Sequence, residues 1–163
     1  SGDVDRKDMI ANEWITGNGD LRAVHAIREK VFVAEQNIAP EKVADAYDEQ
    51  AVHLLVYVDG VAAATGRIYH DGSHFRIGRL CVLKEFRGQG IGDLAARLLL
   101  FKAFMYAGEV HISAQAYLED FYKKFGFETV GGPFMEEGIS HVNMVVTKEK
   151  CVFPSKCGEE RQS

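Results

Sequence analysis

The chain has 163 residues, which suits one domain with one sizeable core. Its 47% hydrophobic and 26% charged residues are typical of a soluble globular protein. The net charge of −5 and the pI near 5.7 argue against a protein built around a nucleic-acid backbone. No apolar run approaches the roughly 20 residues that span a bilayer, and no signal peptide is evident. We therefore expect a cytoplasmic protein that binds neither nucleic acid nor membrane.

The two ends of the chain are expected to lie outside the folded domain. Ser1-Gly2 has no initiator Met before it and looks like an expression remnant, so residues 1–8 are expected to be disordered. A single domain is expected over residues 9–148. The polar tail, residues 149–163, is expected to be loose, beginning at Lys148.

The three cysteines are too few, and odd in number, for a disulfide framework. Cys81 lies in an apolar strand pattern, where we expect a buried, inert thiol. Cys151 and Cys157 could close a small loop in an oxidising compartment. Because no secretion signal precedes them, we favour free thiols for both.

The first half of the chain predicts a helical segment followed by strands. Asp20 is predicted as an N-cap, and apolar residues then recur at helical spacing between Leu21 and Gln36, before Pro40. An acidic stretch follows from Glu41 to Gln50, and Asp59-Gly60 suits a type I′ turn between two strands. The predicted strands are Val52–Val58, Val61–Tyr69 and Phe75–Val82.

The second half mixes helices and strands. Leu94, Leu98, Phe101 and Met105 predict one face of a long helix that Gly108 would close. A strand, a short helix around Phe121 closed by Gly126, and two last strands follow, which is typical of an α+β domain. The predicted strands are Val110–Gln115, Phe127–Val130 and His141–Val146, with Gly131-Gly132-Pro133 in the last connection.

The strongest chemical signal is Arg87-Gly88-Gln89-Gly90-Ile91-Gly92, between a predicted strand and a predicted helix. Glycines let the backbone bend tightly, and N–H groups at a helix N-terminus favour a phosphate. A P-loop would continue with Lys-Ser/Thr, but Asp93 follows here, and a dinucleotide fingerprint would need glycine at that same position. A glycine-rich turn that serves only packing remains an alternative to a loop that binds phosphate.

The glycine loop and several further motifs, which follow one another in the same order, resemble those of the GNAT acetyltransferase superfamily. The resemblance covers about residues 9–148 and is closest to the ElaA-like bacterial members. The acyl-coenzyme A loop of that family reads Arg/Gln-x-x-Gly-x-Gly/Ala, which Arg87, Gly90 and Gly92 match. Ser140 departs from the proline that ElaA-like proteins tend to carry before the histidine. The other matching runs are Arg28–Gln36, Ile77–Val82, Ala114–Ala116, Phe121–Phe127 and Glu136–His141.

The resemblance implies an α+β fold with a mixed, mostly antiparallel sheet that is splayed open around an acyl-CoA cleft and flanked by helices. It implies acetyl-coenzyme A as donor, with the pantetheine arm bonded like an added strand to β-strand backbone and the pyrophosphate on the loop amides. A homodimer would be unsurprising, and no metal is expected. The residues expected to bind acetyl-coenzyme A are Leu80, Cys81, Val82, Arg87, Gly88, Gln89, Gly90, Ile91, Gly92, Gln115 and Tyr122.

Acyl transfer to an amine benefits from an acid for the leaving thiolate and a base for the amine proton. Tyr122 is the candidate acid, although it also completes an apolar stripe and could be a core residue. Glu35 and His141 are the candidate bases, with Asp48, His53 or an ordered water as alternatives. Arg67 or Arg79 could bind a carboxylate of the acceptor, although Arg79 is expected to be structural. The expected acceptor-binding residues are Phe32, Gln36, Asp48, His53 and Arg67.

The functional hypothesis is therefore a direct, sequential transfer of acetyl from acetyl-coenzyme A to the primary amine of a small molecule. Two alternatives stay open: a non-catalytic module that binds acyl-coenzyme A, and an acetyltransferase for protein or peptide amines. The acidic stretch Glu41–Glu49 could attract a cationic amine. The sequence itself does not identify the acceptor.

Overall fold

The computed structural model describes residues 9–153 and contains one seven-stranded sheet within them. The strands lie in the order β1-β2-β3-β4-β5-β7-β6. Their bounds are β1 Ile10–Thr16, β2 Val52–Val58, β3 Val61–His70, β4 Phe75–Val82, β5 Glu109–Gln115, β6 Glu128–Glu136 and β7 Ile139–Thr147.

The helices are short except for one. Helix α1 continues directly into a π-helical segment, and single 3₁₀ turns precede β2, α3 and α4. The helices are α1 Arg22–Arg28 with the π-helical segment Glu29–Glu35, α2 Pro40–Val43, α3 Ile91–Ala103 and α4 Glu119–Lys123. Among residues 9–153, none of these helices is long and apolar enough to cross a bilayer.

The described residues form two compact units. The first unit comprises the residues up to Arg67 together with Arg79–Ala95, and the second comprises Ile68–Gly78 together with the residues from Ala96 onward. The expectation of one domain over residues 9–148 stays a prediction. Residues 1–8 and 154–163, including Cys157, lie outside the described residues.

The first unit contains a strand that the sequence analysis missed. Strand β1 pairs antiparallel with β2 from Ile10 opposite Val58 to Thr16 opposite Val52. Most of β1 is exposed, so it lacks the alternation of buried and exposed residues that would mark a strand in sequence. The turn between β2 and β3 is as predicted, because Asp59 and Gly60 have φ of 50° and 82°, as a type I′ turn requires.

Helix α1 forms the core of the first unit with the strands. Val24, Ile27 and Val31 recur at spacings of three and four and pack with Leu55, Cys81 and Leu83. The N-cap prediction was wrong in detail. Leu21 occupies the N-cap, and Asp20 instead accepts hydrogen bonds from the backbone and the guanidinium of Arg22.

The buried face of α3 differs from the predicted one. Phe101 and Met105 are 63% and 67% exposed, and the helix ends at Ala103, so Gly108 does not cap it. Apolar residues surround this helix on nearly every side, so their spacing does not single out one face. The buried positions of this helix are Ile91, Ala95, Ala96, Leu99, Leu100 and Ala103.

The end of the second unit also corrects two predictions. The Gly131–Pro133 segment is not the connection between the last strands: it lies inside β6, where the register with β7 shifts between Val130 and Phe134. The turn is at Glu137-Gly138, where φ is 53° and 74°. Strand β6 is last in the strand order, and an edge strand tolerates a bulge and a proline.

The tail is ordered over its first residues, against expectation. The Lys148 N–H donates to the Gly108 carbonyl at 2.8 Å, and the Val152 N–H donates to the Phe125 carbonyl at 2.9 Å. Gly126 has φ of 99°, and a Cβ there would lie 2.3 Å from the Lys150 carbonyl oxygen. This close approach explains why glycine closes the short helix.

The fold class is confirmed: it is an open, mixed α+β sheet with flanking helices. Strands β4 and β5 are parallel, with Arg76 opposite His111, whereas β1–β2, β5–β7 and β6–β7 are antiparallel.

Candidate active site

The glycine loop has the backbone shape that the sequence predicted. Gly88 and Gly90 adopt φ of 78° and 80°, and α3 begins at Ile91, immediately after them. The first α-helical bond runs from the Leu94 N–H to the Gly90 carbonyl, so the N–H groups of the first turn face the loop. Gly92 is different, because it is helical and a Cβ there would only touch Val82 at 3.7 Å. Two of the three glycines are therefore required by the backbone.

Arg87 contacts another predicted site residue, Glu35. Its Nη2 donates to Glu35 Oε1 at 2.8 Å, and its Nε donates to the Val82 carbonyl at 3.0 Å. The guanidinium thus connects the end of β4 with the end of the π-helical segment. Both side chains are partly exposed, so the pair contributes little to stability, about 0–1 kcal/mol.

The π-helical segment positions Glu35. After this segment the Ile38 N–H donates to the Phe32 carbonyl at 3.0 Å, which closes a wide turn. The Phe32 side chain packs against the core of the first unit, and Gln36 is half-buried. π-Helical turns are rare in proteins, but those that occur often lie at functional sites. The helical periodicity of the sequence alone could not reveal this segment.

A buried ion network lies in the first unit. Arg28 binds Asp48 through two parallel bonds of 3.0 Å, and Arg67 donates to the same carboxylate at 2.7 Å. Arg28 and Arg67 are each 1% exposed and Asp48 is 7% exposed. Asp48 is therefore a buried carboxylate, and two guanidinium groups compensate the burial of its charge.

The network extends to β4 through Asp45. This carboxylate accepts from Arg67 at 2.6 and 2.8 Å and from Arg79 at 3.1 Å. Arg79 also donates to the Val43 carbonyl at 2.8 Å, and its own φ is 54°, an uncommon value for a residue with a side chain. Arg79 is thus a structural arginine, as expected, and its anchor holds a sharply bent backbone directly before Leu80–Val82.

The charges of this network set the protonation of its carboxylates. Burial alone would raise the pKa of Asp48, but the hydrogen bonds and charge of Arg28, with the charge of Arg67, hold that pKa far below its usual range. Burial would also raise the pKa of Asp45, but the hydrogen bonds and charge of Arg67 outweigh this effect. The pKa of Asp45 is therefore lowered as well. Both carboxylates are therefore ionised at neutral pH and are poor proton acceptors.

His53 belongs to the same buried cluster. It is fully buried, and its Nε2 donates to the Asp48 carbonyl at 2.9 Å, while its Nδ1 has no hydrogen-bond partner among residues 9–153. Burial lowers the pKa of His53 and keeps the ring neutral. Arg67 and Asp48 are buried and paired with each other as well, so these three predicted acceptor-binding residues lie inside the first unit and expose little surface to a ligand.

Sequence reasoning missed Arg28 and Asp45 as members of this network. A signal was available for Arg28, because it lies on the buried stripe of Val24, Ile27 and Val31 at spacings of four, one and three residues. A charge on such a stripe implies a buried partner. Asp45 carried no comparable signal, since it lies in an irregular acidic stretch.

Cys81 is buried and chemically quiet. Burial raises the pKa of its thiol to about 12. The thiolate, which is the nucleophilic form, is therefore scarce at neutral pH. This agrees with the expectation of an inert thiol.

The second unit contains the other predicted catalytic residues. His141 on β7 pairs with Gln115 on β5, and its ring stacks on Phe134 with centroids 5.8 Å apart. Its Nδ1 lies 2.7 Å from the Ile139 carbonyl oxygen, which can only accept. This contact favours the tautomer with the proton on Nδ1 and leaves Nε2 able to accept a proton.

Tyr122 lies on α4 in an aromatic cluster. It is 8% exposed, and its ring meets Phe121 and Phe127 edge to face at centroid distances of 5.0 and 5.6 Å. The ring is therefore held rigidly by packing, which suits both a core role and a fixed orientation of its hydroxyl.

The chain is similar to known proteins along most of its length. The family described as acetyltransferase (GNAT) domain matches residues 21–148. YyaT of Bacillus subtilis is 34% identical over 141 residues, which cover 83% of this chain and 93% of that protein. An acyl-CoA N-acyltransferase from Pseudomonas aeruginosa superposes with a TM-score of 0.75 and 27% identity, and Escherichia coli ElaA with 0.76 and 28%, each covering 84% of this chain and 99% of its own.

Proposed function

Since the chain belongs to the GNAT acetyltransferase family, we propose that it transfers acetyl from acetyl-coenzyme A to the primary amine of a small molecule. The observation that carries the proposal is the loop from Arg87 to Gly92. Gly88 and Gly90 have positive φ, and a 13-residue helix begins directly after them. The first N–H groups of this helix face the loop. Such an arrangement suits a pyrophosphate without requiring a basic protein.

The backbone of the strand before the loop also favours acetyl-coenzyme A as the donor. Leu80–Val82 directly follow the bend at Arg79, which Asp45 and the Val43 carbonyl hold in place. A rigid strand end of this kind can hydrogen-bond the amides of a pantetheine arm as an added strand would. Arg87 fixes the end of that strand by donating to the Val82 carbonyl, and its charge lies beside the loop.

The reaction needs no acyl-enzyme. The neutral amine nitrogen attacks the thioester carbonyl carbon, a C–N bond forms, the C–S bond breaks, and the amine loses a proton while the thiolate gains one. Cys81 fits this direct transfer, because its raised pKa keeps the thiol protonated and therefore a poor nucleophile.

Within this proposal three residues handle protons. Tyr122 gives a proton to the leaving sulfur, and His141 accepts the amine proton through Nε2. Glu35 is the alternative base, although its bond to Arg87 occupies one of its oxygens. Gln115, opposite His141 in the register, hydrogen-bonds the donor or the acceptor.

The acceptor is proposed as a small primary amine. The acidic stretch offers less attraction for a cation than its composition suggests, because Asp45 and Asp48 are neutralised by arginines. Glu41 and Glu49 remain exposed there. A cytoplasmic location and a homodimer stay part of the proposal.

The experiment that tests the function is a thiol-release assay with acetyl-coenzyme A against polyamines, amino sugars, amino acids and peptides. Release of coenzyme A with at least one small amine is the expected result. Release with peptides only would favour a protein acetyltransferase. Background release with every acceptor, while acetyl-coenzyme A still binds, would favour the non-catalytic module instead.

The loop has its own prediction. Gly90→Ala is expected to weaken binding of coenzyme A by about 5- to 30-fold, because holding alanine at φ of 80° in the loop that presents the amides costs about 1–2 kcal/mol. Gly60→Ala is the matched control, since Gly60 has φ of 82° in a turn outside the loop. Calorimetry with coenzyme A should show normal affinity for Gly60→Ala. Equal affinities in both variants would contradict the proposed loop.

A further inference from the structure

Three potential metal ligands converge in the second unit, where the bend before β4 lies beside the start of β5. Among the described residues, the ligand atoms of His74, Glu109 and His111 all lie within 4.8 Å of one another. None belongs to the residues proposed for the acetyl transfer. We propose that these three side chains bind a Zn²⁺-like divalent transition metal ion.

The strand register brings the three residues together. Strands β4 and β5 are parallel with Arg76 opposite His111, so His74, two residues before Arg76, is level with Glu109. Side chains two residues apart project from the same face of a strand, which places Glu109 and His111 side by side. The contact between them is close, with His111 Nε2 2.6 Å from Glu109 Oε2.

The backbone of His74 is also fixed. Its N–H donates to Asp71 Oδ1 at 2.8 Å, and its carbonyl accepts from the Asp71 N–H at 3.1 Å. The His74 ring lies against the His111 ring, with centroids 3.8 Å apart. The two imidazole rings are therefore already close together on fixed backbone. A bound metal would have to restrict their side-chain motion less than if the rings were far apart.

The distances suit chelation after small side-chain rotations. Zinc binds imidazole nitrogen and carboxylate oxygen at about 2.0–2.2 Å, so its tetrahedral ligand atoms lie about 3.4 Å apart. The most distant pair of this cluster must therefore approach by at most about 1.4 Å, and the His111–Glu109 pair, now at 2.6 Å, must open by about 0.8 Å. His74 and Glu109 are exposed and His111 is half-buried, so their side chains have room to rotate.

The donor set indicates which metal. Two imidazoles and one carboxylate match zinc sites with three protein ligands and an open position for water, and imidazole ligands favour zinc, nickel or copper over magnesium and calcium. The nearby Arg76 cation would oppose a metal, but it pairs with Asp71 at 3.3 Å and donates to Ser113 at 2.8 Å. Its charge is thus partly compensated by the Asp71 carboxylate.

A bound ion would join the turn before β4 to the first residues of β5. Because it binds the folded arrangement, it would stabilise the second unit by mass action. The inferred role is structural or regulatory, and the proposed acetyl transfer does not require the ion.

The test is a titration of the full chain, stripped of metal by chelator, with ZnCl₂ in a calorimeter. The expected result is binding that His111→Ala weakens by at least about tenfold, as loss of a metal ligand should. Glu109→Gln keeps the shape of the side chain and should weaken binding too. His25→Ala, which removes an exposed histidine from α1, should bind as the parent protein does.

Two further readouts separate this site from binding at thiols. Zinc should shift the imidazole NMR signals of His74 and His111, and the same titration in a Cys151→Ser/Cys157→Ser background should be unchanged. Zinc binding that persists in His111→Ala, or that disappears with the cysteines, would overturn the proposal. So would equal affinity for MgCl₂. None of these results depends on acetyl transfer, so they leave the proposed enzyme function untouched.

Discussion

Asp48→Ala is expected to lower the free energy of unfolding by about 3–5 kcal/mol. The variant leaves Arg28 and Arg67 buried without the carboxylate that they share. An uncompensated buried charge costs far more than the loss of a surface pair. Urea denaturation followed by circular dichroism measures the change. If the alanine variant does not fold, Asp48→Asn, which keeps the volume, is measured in its place.

Glu49→Ala is the matched control for this prediction. It removes the same charge from the next residue of the same 3₁₀ turn, but Glu49 is exposed. The expected change for this variant is within about 0.5 kcal/mol. Equal losses in the two variants would show that the network does not stabilise the fold.

The acid dependence of stability gives the same comparison a second readout. The folded-state pKa of Asp48 lies below its value in the unfolded chain, so its contribution is present in full above the unfolded pKa, about 3.9. It declines as the pH falls below about 4, because the unfolded chain then takes up the proton first. The difference between parent protein and Asp48→Ala should therefore shrink from pH 4 downward. A difference that grows in that range would contradict the lowered pKa.

Tyr122→Phe is expected to lower kcat by about 100-fold or more, the usual contribution of a general acid. Phenylalanine keeps the ring and its edge contacts with Phe121 and Phe127, so the packing of α4 should survive. Coenzyme A affinity and the melting temperature should change little. The measurement is steady-state thiol release with the best amine found in the acceptor screen.

Tyr117→Phe provides the control, because Tyr117 precedes the same helix and is 71% exposed. It should keep full activity. Full turnover by Tyr122→Phe would remove Tyr122 from the mechanism and leave it as a core residue. A loss of turnover that comes with a large fall in melting temperature would likewise assign Tyr122 to packing.

The parts of the fold that carry strong local signals were predictable. The Asp59-Gly60 turn and the strands beside it follow from positive-φ preferences and alternation, and the glycine loop follows from its place between strand and helix. Strand β1 was missed because its exposed residues carry no alternation. The Gly131–Pro133 segment was misassigned because the same residues serve a turn and an edge bulge.

The candidate site divides in the same way. The loop could be predicted because its chemistry lies in the backbone of one continuous segment. The Arg28–Asp48–Arg67 contacts could not, because they join residues 19 and 20 positions apart, and the place of Arg28 on an apolar stripe implies a buried partner without identifying it. Burial decides whether a charge is solvated or paired, and burial is a property of the packed fold.

The wide helical turn before Glu35 has a consequence for how the family can vary. A π-helical turn holds one residue more than an α-helical turn, so deleting a single residue from Glu29–Glu35 would restore a regular helix. Because the wide turn only absorbs that extra residue, the residues after it should keep nearly the same faces, and Glu35 should keep its bond to Arg87. A one-residue deletion in the regular helix α1 would instead turn every residue after it by about 100°. Active relatives should therefore tolerate a one-residue deletion in Glu29–Glu35 better than one in Arg22–Arg28.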